Sequence, residues 1–308
     1  MSARGRAVVV VNRHAAAGRD ASARLDAAGG ALRSAGWIPE FHVTSAPGHG
    51  VELARCADTG SHDLLVAAGG DGTANEVASG RLRAGSDATP LAVLPLGTGN
   101  DFATLLGAGT VETFVEALRT PRFVRRDVLA VETPEDGLRA ALLFAAVGFA
   151  SDLLRATTPR VKRLFGPKLC YSVGFFRALM RHECPTLRVR IGDRVWDEPM
   201  VVALAGNSAH AGGGMMRVAP GARMDDGAMD VSLVKATGRL QVARQFVRLV
   251  RGTHVRHPLV RYFPAAEMEV EGMPPQSVAV DGEVLGRTPV RIAVRPAALR
   301  FLAGPHVD

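Results

Sequence analysis

The chain has 308 residues, of which 47% are hydrophobic and 22% charged, a composition typical of a folded protein with a sizeable core. Its three cysteines are scattered and odd in number, which argues against a disulfide framework and indicates a reducing, cytoplasmic setting. No secretory signal is visible, and the longest apolar stretch, residues 140–150, is too short for a membrane span. We therefore expect a protein that is soluble or lies on a membrane without crossing it.

The first part of the chain alternates short apolar runs with helical patterns. Strands are predicted at 7–11, 38–43, 64–68 and 91–94, and helices at 21–35, 50–57, 73–82, 101–106 and 111–118. This alternation predicts an α/β domain, with a parallel sheet covered by helices on both faces. Ligands of such sheets bind at the carboxyl ends of the strands.

After about residue 128 the pattern changes to short strands separated by turn residues. Strands are predicted at 128–132, 140–147, 187–191, 200–205, 229–234, 268–270, 277–280 and 290–294, with helices near 168–181 and 240–251. The pattern predicts a β-rich, antiparallel, sandwich-like second domain. We place the first domain at 1–127 and the second at 128–295, and we expect the tail at 296–308 to pack back on the first domain.

A glycine-rich turn follows the predicted strand at 64–68. Residues 69–76 read Gly-Gly-Asp-Gly-Thr-Ala-Asn-Glu and lead into a predicted helix. Glycines let backbone N–H groups approach a phosphate, and the helix adds its positive N-terminal end. A carboxylate cannot contact a phosphate directly, so Asp71 indicates a metal ion or a proton transfer.

A second turn of the same kind, residues 95–103, follows the predicted strand at 91–94 and contains Gly97, Thr98, Asn100 and Asp101. Parallel strands end at one edge of a sheet, so the two turns are expected side by side. Either turn alone could be purely structural. The pair, with Asp71 and Asp101 at equivalent places, favours a phosphate and metal site.

Two weaker candidates have structural alternatives. Asn12, with Gly18 downstream, follows the first predicted strand, but an asparagine there is also typical of a helix N-cap. Asp281-Gly282-Glu283 follows the predicted strand at 277–280, and Asp-Gly is the commonest hairpin signal, so the local pattern favours a plain turn. The Walker pattern of a P-loop is absent, and no Gly-x-Gly-x-x-Gly follows the first strand.

Taken in order, these motifs resemble the diacylglycerol kinase catalytic family, especially the bacterial soluble lipid kinases, with sphingosine and ceramide kinases as relatives. The similarity continues through residues 148–149, 166–167, 212–215, 220 and 225–227. One departure is the first turn, which lacks the proline that usually follows the asparagine and reads Asn12-Arg13-His14-Ala15-Ala16-Ala17-Gly18.

The resemblance implies an NAD-kinase-like first domain and an ATP- and Mg²⁺-dependent lipid kinase. The acceptor that it favours is diacylglycerol, and the implied active site lies in the cleft between the domains. The implied nucleotide-binding residues are Asn12, Thr44, Gly69, Gly70, Asp71, Gly72, Thr73, Asn75, Glu76, Gly97, Thr98 and Asn100. The implied ligands around the catalytic magnesium are Asp71, Asp101 and Asp127.

The resemblance also assigns roles in the second domain. Glu283 corresponds to the general base, with Asp281 beside it. The turn at 225–227 corresponds to a structural magnesium site in some bacterial members, where the ligands would be the backbone carbonyls of Arg223 and Ala228 and the side chain of Asp226. An Asp-rich loop that binds no metal explains this turn equally well.

The net charge of +7 is unevenly distributed. The stretches 153–182 and 231–266 contain no acidic residue and carry 14 positive charges. Their helical patterns mix basic and apolar residues, which is typical of helices on an anionic membrane but also of solvated helix faces. We therefore expect a peripheral protein at the inner face of the membrane, and no nucleic-acid partner, because no nucleic-acid-binding motif is present.

Alternatives to a diacylglycerol kinase stay open. The acceptor could be a sphingoid base, ceramide or a polyprenol-linked lipid, because apolar acyl pockets are interchangeable in sequence. An NAD kinase shares the first glycine turn, although the second turn and the late Asp281-Gly282-Glu283 favour the lipid kinases. A non-catalytic, nucleotide-sensing protein at the membrane surface is an alternative of another class. The sequence carries no signal of oligomeric state, and a homodimer is one arrangement that it allows.

Overall fold

The structure, a computed structural model, describes residues 4–12, 21–57, 61–85, 88–181, 183–305 and 307. The chain forms two compact units. Unit 1 contains Met1–Arg126 and Ala297–Asp308, and unit 2 contains Asp127–Pro296. The Gly18 end of the first turn lies outside the described residues.

Unit 1 is built on a parallel sheet. Its first four strands are β1 (Gly5–Val11), β2 (Trp37–Val43), β3 (Leu64–Gly69) and β4 (Leu91–Pro95), in the spatial order β4-β3-β1-β2. The helices are α1 (Ala21–Ser34), α2 (His49–Cys56), α3 (Asp71–Ala84), α4 (Asp101–Leu105) and α5 (Val111–Arg119). Strands β1, β3 and β4 are almost continuously apolar and buried, as expected for strands covered on both faces.

Unit 2 is dominated by antiparallel strands. They are β5 (Arg122–Thr133), β6 (Gly137–Ala141), β7 (Phe144–Gly148), β8 (Thr186–Ile191), β9 (Arg194–Gly206), β10 (Met229–Lys235), β11 (Val260–Ala265), β12 (Glu267–Met273), β13 (Ser277–Val280), β14 (Glu283–Arg287) and β15 (Val290–Ala303). Three helices accompany them: α6 (Phe149–Ala156), α7 (Pro159–Arg181) and α8 (Arg239–Arg251). A shared core is formed by the inward-facing apolar residues of these strands.

Strand β9 connects two layers of unit 2. Its first half pairs with β8, and its second half pairs with β7 on one side and β10 on the other. The hairpin β13–β14 extends the β7 edge, whereas β12 pairs with both β8 and β15. This arrangement gives the sandwich-like character of the unit.

Strand β15 begins in unit 2 and ends in unit 1. Its first half pairs with β12, and its end pairs in parallel with β4 at Phe301 and Leu91. The ring of Phe301 packs edge-on against Phe102, with 4.9 Å between the ring centroids. The C-terminal segment therefore completes the core of unit 1.

Two predicted elements of unit 2 differ from the structure, and one helix was not predicted. The strand predicted at 140–147 is wrong, because β6 and β7 are separated at Leu142 and Leu143, whose N–H groups bond to a side chain instead of a strand. Helix α7 begins at Pro159, a favourable first helical residue, and not near 168. Helix α6 was not predicted, because it continues directly from a buried strand in one apolar run.

Candidate functional site

The predicted nucleotide-binding residues of unit 1 lie at one edge of the sheet. Asn12 follows β1, Thr44 follows β2, and the two glycine turns follow β3 and β4. The strands are parallel, so these ends lie at the same edge. From β1 the sheet continues to β2 on one side and to β3 and then β4 on the other, so the order of the strands switches between β1 and β3. Such a switch point is where open α/β sheets bind ligands.

The first glycine turn leads into α3 with no side-chain cap at Gly70. The backbone N–H groups of Thr73 and Ala74 bond to the Gly70 carbonyl, at 3.0 and 3.1 Å. The buried Thr73 Oγ1 has no hydrogen-bond partner among the described residues. An uncapped helix N-terminus beside an unpaired hydroxyl is a suitable site for an anion.

The second glycine turn packs directly against the first. A Cβ added to Gly97 would lie 2.4 Å from the Cα of Gly70, so this approach requires glycine. Asn100, in the left-handed region at φ 55°, closes the turn through two side-chain hydrogen bonds to the Gly97 backbone, each 3.0 Å long. The amide of Asn100 thus shapes the turn, while Thr98 is exposed at its tip.

Asp71 and Asp101 lie close enough for their charges to interact. One oxygen of Asp71 accepts a hydrogen bond from the Phe102 N–H at 3.0 Å. Burial is the main cause that raises the pKa of Asp71, the Phe102 bond opposes it, and the charge of Asp101 raises it further. Two neighbouring carboxylates beside a phosphate-type turn fit Mg²⁺, which binds one or two carboxylates together with phosphates and waters.

Two other residues of the first turn make contacts within the fold. The carboxylate of Glu76 accepts hydrogen bonds from the N–H groups of Gly48 and Gly50, at 2.7 and 2.9 Å, at the start of α2. Asn75 is buried, and its side-chain oxygen accepts a bond from Ser79 at 3.4 Å. The Glu76 contacts hold α2 and α3 together, the Asn75 contact lies within α3, and a direct contact of either side chain with ATP stays a prediction.

In unit 2, Asp281-Gly282-Glu283 forms the tight turn between β13 and β14. Asp281 and Gly282 both have positive φ, at 46° and 96°, which is the geometry of a type I′ hairpin. The structure thus has the hairpin turn that the local pattern favours, and the catalytic roles implied for Asp281 and Glu283 stay predictions. Glu283 is exposed at the first position of β14, opposite Val280.

The Asp281 side chain is buried and accepts three backbone hydrogen bonds. They come from the N–H groups of Leu142, Leu143 and Phe144, at 2.6, 2.8 and 2.9 Å. The carboxylate thus holds the β6–β7 connection against the hairpin. Its contacts are those of a residue that positions the turn carrying Glu283.

Asp127 also makes contacts within unit 2. One oxygen of its buried carboxylate accepts a bond from the Gly227 N–H at 2.7 Å, and its own N–H donates to the Met224 carbonyl at 2.7 Å. Asp127 thereby anchors the turn at 225–227. Its role as a magnesium ligand beside Asp71 stays a prediction.

The predicted ligands of a structural magnesium lie within the short segment 223–228, which contains two local hydrogen bonds. The Ala228 N–H donates to Asp226 Oδ1 at 3.1 Å, and Arg223 Nε donates to Asp225 Oδ1 at 3.2 Å. Within the described ranges, no group of three or more His, Cys, Asp or Glu side chains could hold a metal. A site made of two backbone carbonyls and one carboxylate is not such a group, and the structural magnesium at 223–228 stays a prediction.

Sequence reasoning missed Asn207, a fully buried residue after β9. Its Nδ2 donates to the carbonyls of Asp127 and Leu142, both at 2.9 Å, and its Oδ1 has no partner in the described part of the chain. Asn207 therefore links the Asp127 strand to the connection that Asp281 holds. The signal was a Gly-Asn pair at the end of a predicted strand.

Comparisons with known proteins place this geometry among phosphotransferases. The model of the diacylglycerol kinase catalytic domain matches residues 6–131, and that of the YegS C-terminal NAD kinase beta sandwich-like domain matches 147–303. The chain belongs to the diacylglycerol kinase catalytic family. The predicted family, the predicted α/β and β-rich fold, and the predicted lipid kinase class are confirmed.

Individual relatives agree with this assignment. A protein of Chromohalobacter salexigens named probable lipid kinase YegS-like is 32% identical over 285 residues, which are 90% of this chain and 87% of the relative. A diacylglycerol kinase of Staphylococcus saprophyticus is 27% identical, over 84% of this chain and 82% of the relative. A crystal structure of a diacylglycerol kinase from Bacillus anthracis covers 100% of both chains with a TM-score of 0.69 at 19% identity, and so shares the fold.

Proposed function

We propose that this lipid kinase transfers the γ-phosphate of ATP to a lipid hydroxyl in a Mg²⁺-dependent reaction, with diacylglycerol as acceptor and phosphatidic acid as product. The observation that carries the proposal is the pair of packed glycine turns in unit 1, with Asp71 and Asp101 beside them. Phosphoryl transfer depends mainly on positioning and on neutralising charge, and this edge of the sheet offers groups for both.

The donor half of the reaction belongs to unit 1. The uncapped N-terminus of α3 and the Thr73 hydroxyl would bind the phosphates of ATP. Asp71 and Asp101 would hold the magnesium ion, which supplies positive charge to the phosphate oxygens. Phe102 keeps Asp71 oriented through its N–H group.

The acceptor half requires a group that takes the proton of the lipid hydroxyl. The hydroxyl oxygen forms a bond to the γ-phosphorus as the bond to ADP breaks, and its proton passes to a base. Glu283 is exposed on a hairpin that Asp281 fixes, so it is an accessible and well-supported carboxylate. We assign it the role of this base. A placement of the active site between the units stays a prediction.

The acceptor lipid resides in a membrane, and the helices of unit 2 offer a surface that suits it. Among the described residues, none of the helices has both the length and the apolar character to cross a bilayer. However, Phe176 and Met180 on α7 are 63% and 53% exposed beside Arg177 and Arg181, and Leu240 on α8 is 66% exposed. Exposed apolar side chains among basic ones favour peripheral binding to an anionic inner-membrane surface.

The proposal is tested by incubating purified protein with labelled ATP, Mg²⁺ and a panel of acceptors. The panel contains vesicles with diacylglycerol, sphingosine, ceramide or a polyprenol, and free NAD as a separate acceptor. We expect labelled phosphatidic acid. Phosphorylated NAD with no labelled lipid would identify an NAD kinase, and ATP binding without turnover on any acceptor would identify a nucleotide sensor.

A pair of variants tests the role of Glu283. Glu283→Gln should lower turnover at least about 100-fold, because the base is lost. Its thermal stability should not change, because the side chain is exposed. Glu271→Gln, an exposed carboxylate on β12, is the matched control and should retain activity. Equal activity of both variants would contradict the assignment of the base.

A further inference from the structure

One buried amide side chain joins two segments of unit 2 that are far apart in the chain. Asn207 directly follows β9 and is fully buried. Its Nδ2 donates to the carbonyl of Asp127 on β5 and to the carbonyl of Leu142 between β6 and β7, both at 2.9 Å. Because both partners are acceptors, the NH₂ end of the amide must point at them. The orientation of the side chain is therefore fixed.

The backbone around Asn207 holds the same β6–β7 connection. The N–H groups of Asn207 and Ser208 both donate to the Leu143 carbonyl, at 2.8 and 3.0 Å. These backbone bonds end at the connection, whereas the Asn207 side chain also reaches Asp127. The amide group thus links β5 to a connection that the end of β9 already holds.

The other polar groups of this connection bond to the Asp281 hairpin. The connection accepts hydrogen bonds from the end of β9 through its carbonyls, and its N–H groups donate to the Asp281 carboxylate. The Asp281 N–H donates back to the Phe144 carbonyl at 3.1 Å. A continuous series of hydrogen bonds therefore runs from Asp127 through Asn207 and residues 142–144 to Asp281, two residues before Glu283.

The same amide carries an unsatisfied group. Oδ1 of Asn207 is buried and has no hydrogen-bond partner within the part of the chain that the structure describes. A buried acceptor without a partner lowers stability, and an apolar side chain of the same branched shape would avoid this loss. Departures of this kind from good packing are typical of functional sites. The two bonds that Nδ2 makes are the feature of Asn207 that a function would use.

We propose that Asn207 is a positioning residue of the phosphoryl transfer, which acts through the β6–β7 connection to hold the Glu283 hairpin at a fixed separation from the Asp127 strand. The inference rests on the proposed function, because Glu283 is the base assigned there. A base must lie within hydrogen-bond distance of the hydroxyl proton, and a misplacement of about 1 Å can lower a rate about 100-fold. Loosening the link at Asn207 therefore lowers turnover without removing a group that touches the substrate.

The first test is the kinetics of Asn207→Leu, which keeps the branched shape and removes both the Nδ2 donor and the unpaired Oδ1. The loss of two hydrogen bonds and the removal of an unpaired acceptor oppose each other, so Tm should change by less than about 5 °C. The kcat for lipid phosphorylation should fall about 10- to 100-fold, and the KM for ATP should stay within about 2-fold. An unchanged kcat would overturn the proposal.

A double-mutant cycle separates positioning from a general loss of structure. In a Glu283→Gln background, Asn207→Leu should lower kcat by less than about 2-fold, because the group that it positions is already gone. Fully additive losses would overturn the proposal. If Asn207→Leu does not fold, Asn207→Thr, which is close to asparagine in volume, provides the same cycle.

The matched control is Tyr262→Phe. It removes two hydrogen bonds of the same unit that lie outside this series, those of the Tyr262 hydroxyl with the Gly221 N–H and with Asp230. We expect its kcat to stay within about 2-fold of the wild type, whatever its Tm. A loss equal to that of Asn207→Leu would show that any weakening of unit 2 lowers turnover, and would overturn the proposal.

Hydrogen exchange without substrates gives a readout that is independent of activity. The amides of residues 142–144 should exchange about 3- to 10-fold faster in Asn207→Leu than in the wild type, and unchanged rates would overturn the proposal. The outcomes also distinguish this inference from the proposed function. A wild type that phosphorylates no lipid contradicts both. Full activity of Glu283→Gln contradicts the assigned base, and an inactive Glu283→Gln with an additive cycle contradicts the role of Asn207 alone.

Discussion

Asp281 offers the sharpest test of how unit 2 is held together. Replacing it with Asn leaves the side-chain shape and suits the positive φ of 46°, because Asn tolerates the left-handed region well. The substitution removes the charge and one acceptor oxygen. Three buried N–H groups now share a single neutral acceptor, and one of them faces an amide donor.

The expected cost follows from these three hydrogen bonds. A hydrogen bond to a charged group contributes about 1.5–3 kcal/mol, and a buried donor left unpaired costs about 1–3 kcal/mol. Because the bonds share one carboxylate they do not add fully, so we expect Asp281→Asn to lower the free energy of unfolding by about 3 kcal/mol. Asp281→Ala should cost about 1 kcal/mol more, because alanine at positive φ is strained.

The assay is urea denaturation followed by circular dichroism, with amide hydrogen exchange at Leu142, Leu143 and Phe144 as the local readout. Those three amides should exchange faster in Asp281→Asn than amides elsewhere in unit 2. Asp193→Asn, in the exposed turn between β8 and β9, is the matched control and should change stability by less than about 0.5 kcal/mol. A loss below 1 kcal/mol for Asp281→Asn would refute the reasoning.

Two further predictions concern the donor site and the membrane. Because the pKa of Asp71 is raised, its contribution to stability is present at low pH and is lost as pH rises through that pKa. Asp71→Asn should abolish this pH dependence of Tm and lower activity at least about 100-fold. It should also remove the rise in Tm that we expect Mg²⁺ with ATP to give the wild type. An unchanged rise in Tm in this variant would contradict the assignment of Asp71 as a magnesium ligand. The second prediction concerns the exposed apolar side chains of α7. Because each would bury apolar surface in the membrane, Phe176→Ser and Met180→Ser should each weaken binding to anionic vesicles about 10-fold in sedimentation assays. Met273→Ser, 84% exposed on β12, is the control, and an equal loss there would contradict the assigned surface.

Much of unit 1 was predictable because its signals are local. Strands β3 and β4 are continuous apolar runs; β3 ends at Gly69 and β4 is followed two residues later by Gly97, and this pattern indicates the strand, the turn and the following helix together. The parallel order then brings the two turns to the same edge. The pairing of Asp71 with the Phe102 N–H follows from that placement, although its geometry could not be derived from sequence.

The contacts of the carboxylates were not predictable, because their partners are far away in the chain. Asp281 bonds to residues 137–139 positions earlier, and Asp127 bonds to Gly227, 100 positions later. Glu76 bonds to Gly48, 28 positions earlier. A sequence motif identifies the type of side chain at a turn, but distant backbone N–H groups decide whether its carboxylate is available for a ligand.

The path of β15 affects how the protein folds during synthesis. Unit 1 needs Phe301 and Leu302 to complete its sheet and core, yet these residues are made after all of unit 2. At about 5–20 residues per second, ribosomes need roughly 10–35 s to make the intervening segment. During that time β4 has an unpaired edge, and its apolar residues are exposed to incorrect strand pairing. Nascent chains stalled before residue 297 should therefore depend on chaperones, whereas the completed chain should not.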